Sequence, residues 1–71
     1  MDKVSSSATK VELGSSFEDV IHVMGLPDRI DYGAYSTKYY IRWTYGSSFI
    51  EFNMNGKVRL WNNAGLNLKI K

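Results

Sequence analysis

Apolar side chains recur at helical spacing from residue 17 and, beyond Pro27, at a spacing of two, so the pattern predicts one helix followed by strands. Phe17, Val20, Ile21 and Met24 fall at i, i+3, i+4 and i+7, while Glu18, Asp19 and His22 point elsewhere. Ser15 and Glu18 have the spacing of a reciprocal helix cap, and both first-turn acids suit the positive end of the helix dipole. Gly25 can take the left-handed terminal position and Pro27 blocks continuation, so the helix is short and ends sharply. Residues 1–10 are small and polar with a serine triplet. They read as a flexible tail, which leaves residues 11–71 as a single domain.

The strand region contains two turn signals whose registers can be worked out. Around Asn55-Gly56, a two-residue loop would pair Phe52 with Arg59 and mix polar with apolar side chains on both faces. A three-residue loop, Met54-Asn55-Gly56 with Gly56 left-handed, pairs Phe52 with Val58, Ile50 with Leu60 and Glu51 with Arg59, and is the expected register. Tyr45-Gly46-Ser47-Ser48 suits a type II′ turn that pairs Trp43 with Ile50 and Ile41 with Phe52. One face then carries Ile41, Trp43, Ile50, Phe52, Val58 and Leu60, the expected core. The other carries Glu51 between Arg42 and Arg59, with Thr44, Phe49 and Trp61 to one side. A further strand is expected at Arg29 to Tyr32 before a loop from Gly33 to Thr37, and Leu66 to Ile70 alternates as an edge strand or docked tail. The expected fold class is α+β: a short N-terminal helix packed on one face of a three- to four-stranded antiparallel meander.

Composition narrows the chemistry more than the fold. The chain has no Cys and one His, so neither a disulfide nor a zinc site with three or four protein ligands can carry its stability, and no cofactor is expected. Nine Lys plus Arg against seven Asp plus Glu leaves a net charge of +2. That excess is too small to nominate nucleic acid as the partner. No apolar run approaches the roughly 20 residues of a membrane span, and residues 1–10 carry no apolar signal stretch.

Several short motifs occur in a recognisable order: Leu13-Gly14-Ser15 before the helix, Val20 within it, Gly25-Leu26-Pro27-Asp28 after it, then Trp43-x-Tyr45-Gly46, Ile50-x-Phe52 and Gly56-Lys57-Val58. Together, over about residues 11–61, they resemble the SmpA/OmlA, or BamE-like, family of small bacterial envelope domains. The resemblance implies helical segments on an antiparallel sheet, a non-enzymatic binding role and an extracytoplasmic location. The best-known member of that family is an outer-membrane lipoprotein that supports the machinery inserting β-barrels. Here there is neither a signal stretch nor a Cys to carry a lipid, so what carries over is the fold and the binding role.

No catalytic constellation emerges from the residues. His22 lies on the polar side of the helix with no nucleophile placed by any motif, and a Glu51 held between arginines stays ionised and unsuited to donating a proton. The glycines fit turns or caps rather than a phosphate loop. The expected partner-binding residues are Arg42, Phe49, Arg59 and Trp61, because exposed aromatics beside arginine have the composition of protein-binding hot spots. A protein partner is therefore expected, through this face or by strand addition at an open edge. The alternative is single-stranded nucleic acid stacked on Phe49 and Trp61.

Overall fold

Ser16, one residue later than expected, caps the helix. Its hydroxyl accepts from the Asp19 amide while the Asp19 carboxylate accepts from the Ser16 amide, both at 3.2 Å. Ser15 is engaged one turn upstream, where its buried hydroxyl accepts from the Glu12 amide at 2.9 Å. In this computed structural model, which describes residues 9–36 and 38–70, the helix α1 spans Phe17–Met24 and ends at Gly25 with φ of 82°. Its buried stripe is rotated from the expected one. Val20 is fully enclosed and Phe17, Val23 and Met24 pack on the core, whereas Ile21 is 40% exposed. The expected tail falls mostly on residues 1–8, outside the described residues, while Thr9 and Lys10 form an exposed bend.

Four strands follow in an antiparallel meander of order β1-β2-β3-β4: β1 Arg29–Tyr35, β2 Lys38–Tyr45, β3 Ser48–Phe52 and β4 Val58–Asn62. The first strand is longer than expected. It runs through Gly33 and Ala34 to pair Tyr35 with Lys38, so the anticipated loop shrinks to a tight hairpin in which Ser36 has φ of 51°. Gly33 allows this extension, because a Cβ there would meet the Tyr40 ring at 2.3 Å. At the next turn Gly46 has φ of 62° and Tyr45 pairs with Ser48, the expected two-residue loop.

The third turn holds the principal correction. Gly56, with φ of 77°, closes the expected three-residue loop and Phe52 pairs with Val58. A bulge then makes Arg59 the extra residue, so Glu51 faces Leu60 and Ile50 faces Trp61, in place of the expected Glu51–Arg59 and Ile50–Leu60 pairs. Trp61 thereby turns to the helix side and packs on the core. The reason is energetic. In regular alternation Arg59 and Trp61 would share a face, and one of them would be misplaced; a single inserted residue lets Arg59 reach Glu51 while the indole buries apolar area.

The core lies between α1 and the helix-facing side of β2, β3 and β4. Phe17 sits 5.2 Å from Trp43 and 4.6 Å from Phe52 between ring centroids, and Trp43 and Phe52 are 4.7 Å apart. Burying each such side chain contributes roughly 1.5–3 kcal/mol. Gly56 lies under the Phe17 ring, where a Cβ would approach Cε2 to 2.7 Å. The Tyr45 hydroxyl donates to the Gly25 carbonyl at 2.9 Å and ties the helix end to β2. Residues 66–70 form no strand. They dock as a tail with Leu68 buried, and Ile70 forms a parallel bridge with Val11.

Candidate functional site

Glu51 is the most unusual side chain of the sheet's outer face. It is 1% exposed, yet Arg42 and Arg59 both reach it: Arg42 Nε donates at 3.0 Å with Nη2 alongside, and Arg59 Nη1 donates to the other oxygen at 2.9 Å. Alternation places Arg42 and Glu51 opposite each other, and the bulge brings Arg59 to the same carboxylate. A carboxylate taken out of water is tolerated only with partners of this kind. The triad is therefore a structural clamp joining three strands.

Arg42 is also held from the sides. Its guanidinium carbon lies 4.3 Å from the centroid of Phe49 and 5.6 Å from that of Tyr40, which in turn covers Gly33. Of the four residues expected to bind a partner, Arg42, Phe49 and Arg59 thus share the outer face, and Trp61 stands on the opposite one. The three that remain together are engaged with one another. Phe49 is half-buried and offers Arg42, rather than solvent, much of its ring.

On the sheet, exposed apolar side chains lie elsewhere, on the helix-facing side of β1 and the adjoining part of β2. Directly paired residues share a face, so Ile30, Tyr32 and Ala34 stand with Trp43, Ile41 and Tyr39. The helix covers the Trp43 end only. Ile30 is 47%, Tyr32 77% and Tyr39 65% exposed, with Met54 from the β3–β4 turn beside them. Tyr32, Tyr39, Tyr40, Ile41 and Met54 line an open depression of about 360 Å³. A second of about 340 Å³ adjoins it through Tyr39, Asn53 and Met54 and adds Lys38, Asn55 and Arg59.

This surface borders the sheet edge. β1 pairs with β2 on one side, and no described strand lies along the other. A two-residue hairpin closes on a hydrogen-bonded pair, here Tyr35 and Lys38, so alternation turns the N–H and C=O groups of Ile30, Tyr32 and Ala34 outward. The sequence signal for this site was present but divided. Tyr32 and Tyr39 fit the alternation, and it was the extent of β1 that sequence reasoning missed.

Among the described residues no cluster of His, Asp or Glu could hold a metal ion. No helix among them is long and apolar enough to cross a membrane. No protein-family model matches this chain, and neither do the curated proteins or the solved structures with which it was compared.

Proposed function

We propose that the domain is a non-enzymatic protein-binding module of the bacterial envelope, of the SmpA/OmlA type, which takes up an extended segment of a partner along β1. The observation that carries the reading is the coincidence of an open seven-residue strand edge with the exposed side chains Ile30, Tyr32, Tyr39 and Met54. An open edge supplies main-chain hydrogen bonds to any extended segment, and the side chains flanking it supply selectivity. The envelope assignment rests on the sequence resemblance, which also favours binding over catalysis. The outer face around Arg42, Phe49 and Arg59 serves as the clamp behind this edge. Stacking of nucleic-acid bases is disfavoured, because Phe49 is covered by Arg42 and Trp61 faces the helix.

The test is capture from a bacterial envelope extract with the whole chain and with Tyr32→Lys, which places a charge on the edge without touching the core. Capture should fall at least several-fold while the circular dichroism spectrum is unchanged. Amide exchange at Ile30, Tyr32 and Ala34 should slow when the captured partner is added. Equal capture by both proteins would remove the β1 edge from consideration.

A further inference from the structure

Building on that reading, we propose that the incoming segment carries a large apolar side chain and, three residues away, a carboxylate. The apolar residue lies opposite Tyr32. There it stands on the helix-facing side, against the most exposed tyrosine of that surface and beside the depression lined by Tyr39, Ile41 and Met54. The carboxylate lies in register with the Tyr35–Lys38 pair, on the outer face where alternation places Lys38 with Tyr40 and Arg42. Three positions along a strand change the face, as these two requirements demand.

Charge selects the second residue. The depression at this end of the sheet is lined by Lys38 and Arg59 and by no acid. Arg59 is committed to Glu51, whereas Lys38 takes part in no ion pair among the described residues. An incoming residue opposite Tyr35 stands two strand spacings from Lys38, about 10 Å between α-carbons. A glutamate and a lysine side chain together span that distance.

The same geometry argues against a second copy of this chain as the occupant. Two-fold antiparallel pairing of β1 over its full length places Tyr32 opposite its own counterpart and Arg29 of the second copy opposite Tyr35. That arrangement brings Arg29, already paired with Asp31 at 3.1 Å, to the position where Lys38 wants a free carboxylate, so the self-pairing leaves this lysine without its partner.

The experiment uses the whole chain and two synthetic peptides, acetyl-Thr-Glu-Val-Thr-Phe-Thr-Val-amide and its analogue with glutamine for glutamate. Antiparallel to β1, this sequence sets glutamate opposite Tyr35 and phenylalanine opposite Tyr32. Binding is read from amide shifts of Ile30, Tyr32 and Ala34, with the spectrum of Lys38→Ala confirming its fold. The glutamate peptide should bind the native chain about two- to fivefold more tightly than the glutamine peptide, and this preference should vanish on Lys38→Ala. A preference that is absent, or that survives in Lys38→Ala, overturns the carboxylate requirement and leaves strand addition standing. If neither peptide shifts the β1 amides, strand addition fails and the carboxylate requirement with it. A self-association detected by sedimentation that is lost in Tyr32→Lys would overturn the choice of a foreign segment over a second copy.

Discussion

The two edges of this sheet are built from similar strands and treated in opposite ways. Where β4 begins, the Gly14 amide donates to the Val58 carbonyl at 2.9 Å, the Val58 amide donates to the Ser15 carbonyl at 2.8 Å, and Ser16 bridges to Lys57, so the chain leading into the helix covers the start of that edge. Along β1 nothing described does so, although β1 is two residues longer than β4 (seven against five). Helix and buried side chains follow the same asymmetry. The fully enclosed side chains lie on α1 (Val20), on β3 and at Val11, while exposed aromatics gather on β1 and the start of β2. Stability and access are thus assigned to different halves of one sheet, and a binding edge can be left open because the other half supplies the core.

The largest blow to that division is Phe52→Ala. Phe52 is completely buried against Phe17 and Trp43, and its truncation should cost about 3–5 kcal/mol, read as a large fall in the thermal midpoint. Glu51→Ala comes next, at about 2–3 kcal/mol, because it leaves two arginines facing an emptied site. The figure is below that for a fully buried pair, since both arginines are about a third exposed. Trp61→Ala should cost roughly 2 kcal/mol and Phe49→Ala roughly half as much in urea melts. A reversal of that order would show that the bulge at Arg59 does not place Trp61 on the core.

The closed half should also weaken in alkali. Burial first, and the nearby Asp28 charge second, push the Tyr45 hydroxyl from 10.0 up to about 12. Its contribution is complete below pH 10, where the hydroxyl is protonated in folded and unfolded chains alike. Between pH 10 and 12 the unfolded chain gives up this proton first, so stability falls by something of order 2 kcal/mol. Tyr45→Phe should remove that part of the pH dependence in denaturant titrations. The smallest effect belongs to the open half: Tyr32→Ala and Tyr39→Ala should each change stability by no more than about 0.5 kcal/mol, although the first should weaken partner capture.

Much of the fold was legible because local signals agreed. Asn55-Gly56 and Gly46 fixed two turns, the alternation through Ile41, Trp43, Ile50 and Phe52 fixed the core face, and Arg42 faced Glu51 as the pattern required, whereas Arg59 reached that carboxylate from the bulge and not from the expected register. The slips were of phase. Ser15 and Ser16 both satisfy a cap spacing, and only the Glu12 amide distinguishes them by claiming Ser15. The adjacent apolar pair Leu60-Trp61 was the one mark of a bulge, and regular alternation overrode it. For the candidate site that error mattered, since it set Trp61 beside Phe49 when a sheet separates them. Gly33, read as loop, was the other missed signal: a glycine under a tyrosine marks a strand whose neighbour needs room.

The bridge between Val11 and Ile70, sealed by the Val11 amide donating to the Lys69 carbonyl at 2.7 Å, makes the fold nearly a closed ring. A ring can be cut and rejoined. Linking residues 11 and 70 through a short spacer and opening the chain at the Ser36 hairpin would yield a circular permutant with the same sheet. The same adjacency would let the fold be spliced into a surface loop of a host protein, its β1 flank projecting outward as a ready-made docking rail.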